Sequence, residues 1–168
     1  YRKGNVVYLP DSGRMIATGD LHGHRRNFER ILKYADLENN PDTHILFQEI
    51  IHGGPEDEYG GWLSFEILFN AIQLLVLYPK QVHIILGNHD TAVINDGQVL
   101  KNNKEMNLSM RQAMQRRFDI DFYDVHEALV KYLLSEPLAV KCTNGIWFSH
   151  SLPADNYLDR FDVGILSR

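Results

Sequence analysis

Short apolar runs alternate with one-sided helical patterns in the first half of the chain, and this alternation constrains the fold more than any other feature. The predicted strands are residues 14–18, 43–47 and 81–86. Residues 25–35 and 62–78, which separate these strands, carry apolar side chains at helical spacing. This order favours an α/β fold with a parallel sheet, covered by helices, in which ligands bind at the carboxyl ends of the strands.

Two predicted hairpins flank the alternating region. Residues 5–9 and 14–18 are separated by a Pro-Asp-Ser-Gly segment that is typical of a turn, so the sequence predicts that these two strands pair. Residues 138–142 and 146–148 are separated by a Thr-Asn-Gly turn and are predicted to pair in the same way. The second hairpin leads directly into His150.

Two other segments interrupt the alternation. Residues 52–61 are rich in glycine and acidic side chains, which predicts a mobile loop or one of special geometry. Residues 91–137 contain two predicted helices, 106–118 and 123–134. We interpret this helical insert as a lid or cap beside the functional site.

Side chains that bind metal ions follow the ends of the predicted strands. The segment GDLHGH, residues 19–24, places a carboxylate and an imidazole two residues apart on a tight glycine turn, where both can reach one ion. Later strand ends deliver a glutamate, an asparagine and a histidine. Because the carboxyl ends of parallel strands meet at one sheet edge, we expect these side chains to converge. The candidate ligands are Asp20, His22, Glu49, Asn88 and His150.

The mixed ligand set favours two metal ions. A pair of ions roughly 3.5 to 4 Å apart needs a carboxylate that touches both, and Glu49 lies between the other ligands along the chain. Asp20 and His22 would hold one ion, and Asn88 and His150 would hold the other. Oxygen and nitrogen ligands together favour Mn, Fe or Zn over Mg or Ca.

Such a pair of ions supports phosphoester hydrolysis. The ions lower the pKa of a bound water and so provide a metal-bound hydroxide for in-line attack on phosphorus. His89, which follows the candidate ligand Asn88, has an ordinary pKa suited to protonating the leaving alkoxide.

Composition narrows the partners and the compartment. The 168 residues carry a net charge of −5 without a stripe of Lys or Arg, so a nucleic-acid partner is not expected. The longest apolar stretch, residues 74–78, is too short to span a bilayer. The single cysteine, Cys142, lies in an apolar predicted strand, which favours a core position and a reducing, cytoplasmic compartment. The sequence leaves the oligomeric state open. Because the chain begins at Tyr1, we expect a fragment of a longer protein.

Three motifs resemble the successive signature blocks of the calcineurin-like metallophosphoesterases. The resemblance covers about residues 5–155, and the helical insert makes the chain most similar to the serine/threonine protein phosphatase (PPP) branch. It implies a two-sheet sandwich flanked by helices, the five metal ligands given above, and His89 as general acid. It also implies that residues 1–168 form one metallophosphoesterase domain, truncated before the last metal-binding motif. The motifs are Gly19-Asp20-Leu21-His22-Gly23, Gly87-Asn88-His89-Asp90 and Phe148-Ser149-His150-Ser151.

The second family motif is altered in this chain. The segment QEIIHGG stands where the family has Gly-Asp-x-x-Asp-Arg-Gly. Glu49 keeps a carboxylate and adds one methylene group. His52 replaces the aspartate that would orient His89, which leaves Asp90 or a metal-bound water as substitutes. Gly53 replaces the arginine that clamps the substrate phosphate, a role that is hard to replace.

The sequence therefore predicts a metal-dependent hydrolase of phosphate monoesters, similar to the serine/threonine protein phosphatases. Its substrate would be a phosphorylated protein or a small phosphoester. Two alternatives stay open. A phosphodiesterase or nucleotide hydrolase would use the same scaffold, and a catalytically impaired binding module would fit the changes at His52 and Gly53.

Arg25 and Arg26, at the start of the first predicted helix, are the candidates to replace the missing phosphate-binding arginine. Replacing either with glutamine removes a positive charge, so the KM for a phosphate ester should rise severalfold if that residue binds the phosphate. Steady-state kinetics with para-nitrophenyl phosphate measure the change, with Arg30→Gln on the same helix as the control. An unchanged KM in both variants would contradict the hypothesis.

Overall fold

The secondary structure contains all four predicted helices and adds short ones. The computed structural model describes residues 1–101 and 103–168. In chain order the strands are β1 (Arg2–Lys3), β2 (Val6–Leu9), β3 (Arg14–Ala17), β4 (Thr43–Phe47), β5 (Val82–Ile84), β6 (Leu100–Lys101), β7 (Lys104–Glu105), β8 (Ala139–Cys142) and β9 (Trp147–Ser149). The α-helices are α1 (Arg25–Ala35), α2 (Ser64–Leu77), α3 (Asn88–Ile94), α4 (Met106–Phe118), α5 (Phe122–Leu134) and α6 (Asp155–Leu158). Within these described ranges, no helix is both long enough and apolar enough to cross a membrane.

The alternating region forms the parallel sheet that its pattern predicts. β3, β4 and β5 lie side by side in that order, with Ile16 opposite Ile45 and Leu46 opposite His83. All five residues of β4 are buried, as expected for a central strand covered on both faces. The carboxyl ends of the three strands therefore lie at one edge of the sheet.

A second sheet has the order β1, β2, β8, β9, and the predicted pairing of residues 5–9 with residues 14–18 is wrong. β2 pairs in parallel with β8, whereas β3 pairs with β4 in the other sheet. Residues 10–13 carry the chain from one sheet to the other. Turn residues redirect the backbone locally, but they do not decide which strand becomes a partner. The predicted hairpin of β8 with β9 is confirmed.

The two sheets pack face to face, so the predicted two-sheet sandwich flanked by helices is confirmed. The helices cover the outer face of the β3–β5 sheet through a larger apolar cluster that includes Phe28, Phe47, Phe65 and Met110. Cys142 is 7 % exposed and belongs to the core, as predicted. The cluster between the sheets consists of Val7, Leu9, Leu46, Ile85, Val140 and Cys142.

The helical insert holds the glycine-rich loop of residues 52–61 in place. Asp57 lies 2.7 Å from the Arg116 guanidinium of α4, and Glu56 lies 3.0 Å from the Lys104 ammonium in β7. The Lys104 ammonium also lies 4.3 Å from the centre of the Trp62 ring. These contacts neutralise two acidic side chains of the loop and connect it to the insert.

A buried carboxyl group lies between α5 and β8. Glu136 is 4 % exposed. Burial and the negative charges of Asp90 and Glu49 raise the pKa of Glu136 to about 9, although the Tyr132 hydroxyl opposes the shift. The folded protein therefore holds a proton on Glu136 at neutral pH, whereas the unfolded chain releases it.

Glu136→Gln should stabilise the protein increasingly as the pH rises. Between the ordinary pKa of 4.5 and the native pKa of about 9, the folded state binds more protons than the unfolded state, so its stability falls with rising pH. Glutamine carries no such proton, and the variant should gain roughly 4 kcal/mol over the wild type between pH 5 and pH 8.

Urea unfolding at the two pH values measures this gain. Glu127→Gln is the matched control, because the Glu127 side chain on α5 is 64 % exposed and should give a difference that does not vary between these pH values. Parallel pH profiles for Glu136→Gln and the wild type would show that Glu136 is not protonated in the native state.

Candidate metal centre

Two loops at the carboxyl edge of the parallel sheet are joined by their backbones. The N–H groups of Leu21 and His22 donate to the Glu49 carbonyl at 2.9 and 2.8 Å, and that of Gly23 donates to the Ile50 carbonyl at 2.6 Å. These bonds fix the segment after β3 against the segment after β4. The side chains that follow each strand are thereby brought to one place.

Three site residues adopt a left-handed backbone that non-glycine residues rarely use. The φ angles are +44° at His22, +45° at Glu49 and +65° at His52. Such conformations cost free energy and persist where the surrounding structure holds them, often at functional sites. The hydrogen bonds between the two loops supply that constraint.

The Glu49 carboxyl group lies at the centre of the site. It is 1 % exposed, and its Oε1 accepts a hydrogen bond of 2.9 Å from the His89 N–H at the start of α3. Its Oε2 has no hydrogen-bond partner among residues 1–101 and 103–168. Gly87 allows this approach, because a Cβ at that position would lie 1.9 Å from Oε1. A buried carboxyl oxygen without a partner is costly unless a cation or a donor faces it.

Imidazole rings surround this carboxyl group with their Nε2 atoms. The Nε2 of His89 lies 3.7 Å from Oε2, and the Nε2 of His150 lies 3.5 Å from Oε1. One ligand atom each from His22, Glu49 and His89 lies within 4.8 Å of the others. Nitrogen atoms from three segments of the chain therefore converge on one carboxylate.

The Nδ1 atoms of two of these rings are fixed by acceptors. His22 Nδ1 donates to the Ile51 carbonyl at 3.2 Å. His150 Nδ1 donates to Gln48 Oε1 at 3.1 Å, and the Gln48 amide is itself oriented by donating to the Thr18 carbonyl at 2.7 Å. The proton of each neutral ring therefore lies on Nδ1, and Nε2 is left free to bind a metal ion.

The other two predicted ligands, Asn88 and Asp20, each lie beside one of these histidines. Asn88 Oδ1 is 2.7 Å from His150 Nε2, two acceptor atoms that face each other when His150 is neutral. Asp20 Oδ2 is 3.9 Å from His22 Nε2, and its side chain is half exposed. The structure thus groups Glu49, His150 and Asn88 tightly and leaves Asp20 at the rim beside His22.

The residues present fit a metal centre. Glu49 Oε2 is a buried acceptor without a partner within the described chain, and Asn88 Oδ1 and His150 Nε2, both able to bind a cation, lie side by side at 2.7 Å. Carboxylate, amide and imidazole donors together suit Mn, Fe or Zn.

The sequence left the partner of His89 open, and the structure assigns this place to His52. The Nδ1 atoms of His52 and His89 are 2.6 Å apart. Asp90 does not take the role, because its carboxylate instead accepts from the Gly87 N–H at 2.7 Å. Burial, the neighbouring His89 and, more weakly, His22 lower the pKa of His52 to about 4, so it is neutral at pH 7.

One contact of His52 was not predicted. Its Nε2 hydrogen-bonds to Oδ1 of Asn107, in the first turn of α4. Nothing in the local sequence around Asn107 indicates this role. The loop position of His52, three residues after Glu49, is the signal that placed it near the site.

The phosphate-binding arginine has no direct replacement at position 53. Gly53 has a φ of +134°, and a Cβ there would lie 2.7 Å from the His22 carbonyl oxygen. A cavity of about 680 Å³ lies beside the start of α1 and is lined by Asp20, His22, Arg25 and Arg26, among others. Arg25 is 3.1 Å from Glu66, so part of its charge is already paired.

These observations define a candidate metal site on an α/β sandwich of the phosphoesterase type. A family model for the calcineurin-like phosphoesterases matches residues 13–163, and the chain belongs to this family.

Two relatives extend the comparison. The chain is 28 % identical over 120 residues to the symmetrical bis(5′-nucleosyl)-tetraphosphatase of Buchnera aphidicola subsp. Baizongia pistaciae (strain Bp), a match that covers 71 % of this chain and 36 % of that protein. A protein serine/threonine phosphatase from Saccharomyces cerevisiae, described as similar to human phosphatase PP5, superposes with a TM-score of 0.60 at 18 % identity, over 91 % of this chain and 44 % of that one. The chain thus spans about a third of the curated relative, and the likeness to the yeast phosphatase supports the fold.

Glu49→Gln should weaken Mn²⁺ binding by at least ~10-fold, because glutamine keeps the shape of the side chain but removes the negative charge that faces the histidines. Isothermal titration calorimetry of the purified chain measures the affinity. Glu127→Gln, an exposed carboxylate on α5, is the control and should bind like the wild type. Equal affinities in all three proteins would remove Glu49 from the ligand set.

Proposed function

We propose that this chain is a metal-dependent hydrolase of phosphate monoesters, similar in activity to the serine/threonine protein phosphatases. Two ions of Mn, Fe or Zn would be held by Asp20, His22, Glu49, Asn88 and His150. The observation that carries the proposal is the convergence of imidazole nitrogens on the buried Glu49 carboxylate, with the Asn88 amide oxygen against one of those rings, that of His150.

When bound, such a pair of ions supplies Lewis acidity and activates water for attack on phosphorus. The chain contributes the rest of the chemistry. Glu49 would bridge the ligand groups, because its two oxygens face different histidines. His89 would act as general acid when both of its ring nitrogens carry a proton: it would give the Nε2 proton to the leaving oxygen and be left neutral, with its remaining proton on Nδ1. Nε2 lies on the side of the ring that faces Glu49.

The substrate is proposed from the site and its surroundings. Arg26 and the partly paired Arg25 lie beside the cavity at the start of α1, where a phosphate group could approach Asp20 and His22. A phosphorylated protein or a small phosphoester would fit an open site of this kind. The single buried cysteine favours a reducing compartment such as the cytoplasm.

A nucleotide hydrolase is the second candidate. The observation that favours it is the curated relative, which is named a bis(5′-nucleosyl)-tetraphosphatase. A binding module without turnover is the third, since Gly53 removes the arginine of the family motif and His52 removes its aspartate.

His89→Asn should lower kcat for para-nitrophenyl phosphate by roughly 10²- to 10⁴-fold in the presence of Mn²⁺, because asparagine cannot deliver the proton. His126→Gln is the control, because His126 lies on α5 against Phe122 and belongs to no part of the site. Its kcat should match that of the wild type.

The same assay separates the candidates. Faster cleavage of bis(para-nitrophenyl) phosphate or diadenosine tetraphosphate than of the monoester would favour the phosphodiesterase or nucleotide hydrolase. Metal analysis that finds no bound ion, together with no hydrolysis of any ester, would favour the binding module and overturn the proposal.

A further inference from the structure

His89 is anchored differently from the other two histidines of the site. His22 and His150 donate from Nδ1 to a carbonyl and to an amide oxygen, groups that can only accept. The anchor of His89 is the imidazole of His52, which can either accept or donate. The contact between the two rings therefore does not by itself decide which nitrogen of His89 carries the proton.

The orientation of the Asn107 amide determines which nitrogen carries the proton, first in His52 and through it in His89. Its Nδ2 donates to the Ala92 carbonyl at 3.1 Å and to the Gly97 carbonyl, so its amide group has one orientation and its Oδ1 must accept. The atom facing Oδ1 is His52 Nε2, which therefore carries the proton. Asn107 is itself fixed, because its N–H donates to the Glu105 side chain at 3.1 Å.

The proton on Nε2 determines that the other ring nitrogen of His52, Nδ1, is a hydrogen-bond acceptor. The ring is fully buried and its backbone N–H donates to Ser64 Oγ at 3.1 Å, so the ring has little freedom to turn. A neutral ring with a proton on Nε2 presents a lone pair at Nδ1. His89 Nδ1, at 2.6 Å, must then donate to it.

We propose that Asn107 and His52 are positioning residues that hold neutral His89 with its proton on Nδ1, so that only Nε2 exchanges a proton or binds a cation at the site. The proposal deepens the proposed function and rests on it for its catalytic meaning. The helical insert thereby takes part in the site, because its helix α4 carries Asn107, which orients His52 and through it His89. Two neutral side chains here orient the ring, as the aspartate of the family motif would, but without the negative charge of that aspartate.

The first test reads the tautomers directly in the metal-free wild-type chain. Long-range ¹H–¹⁵N spectra at neutral pH should show a protonated Nδ1 and an unprotonated Nε2 for His89, and the reverse for His52. The opposite pattern for His89, or a mixture of its tautomers, would overturn the proposal. This reading needs no variant to fold and no metal to bind.

The second test removes the orienting oxygen. Asn107→Leu should give mixed tautomers at His52 and His89 and lower kcat by roughly 10-fold or more, with a smaller change in KM, because the wrong tautomer cannot act at Nε2. His52→Asn should keep the Nδ1 proton on His89, since its Oδ1 can accept in place of the ring nitrogen and asparagine tolerates a positive φ. His52→Ala should lose it.

Recovery of kcat in His52→Asn relative to His52→Ala would support an orienting role, whereas equal losses would contradict it. The spectra also separate this proposal from the proposed function. If the spectra show the predicted tautomers but the protein hydrolyses no ester, the hydrogen-bonded arrangement of Asn107, His52 and His89 is supported and the proposed catalytic role of His89 is overturned. If the protein hydrolyses the ester but neutral His89 carries its proton on Nε2, the proposed function is supported and the positioning role of Asn107 and His52 is overturned.

Discussion

The burial of the Glu49 carboxyl group is the constraint on which the rest of the site depends. A carboxylate removed from water costs several kcal/mol unless donors or cations face it. The His89 N–H faces one oxygen, and histidine rings lie around the group. What remains is one oxygen without a hydrogen-bond partner in the described chain, which a cation could satisfy.

The backbone around the Glu49 carboxylate adopts conformations that are unfavourable for residues other than glycine. His22, Glu49 and His52 all have positive φ, and Gly87 has no room for a side chain beside Glu49. The hydrogen bonds between the loops after β3 and β4 offset this strain. The parallel sheet supplies the rigid base, because its strands end at the same edge.

The sequence predicted those features that depend on local pattern. Helices α1 and α4 have the predicted bounds, since apolar spacing and turn residues fix a helix within its own segment. The candidate ligands that follow β3, β4 and β5 lie at one edge because the carboxyl ends of parallel strands share it, which the order of elements already implies. His150 comes from β9 of the other sheet, so this argument does not account for its position. The partner of β2 could not be predicted in this way, since the choice of partner depends on the strand about 130 residues away.

The contacts that orient the histidines could not be predicted from the sequence either, because their partners are also distant along the chain. Gln48 meets His150 across 102 residues, and His52 meets Asn107 across 55 residues. Each is a single hydrogen bond between polar side chains with no periodic signature. Such contacts become visible only when the packing of the sheets and of α4 is known.

The close approach of Gly53 to the His22 carbonyl limits which side chains this loop can carry. An arginine does not fit at position 53 without a change elsewhere, because the backbone of the turn that carries His22 occupies the space its Cβ would need. Regaining the family's phosphate clamp would require both turns to be rebuilt together. A phosphate-binding side chain at this cleft would therefore have to come from a position other than 53.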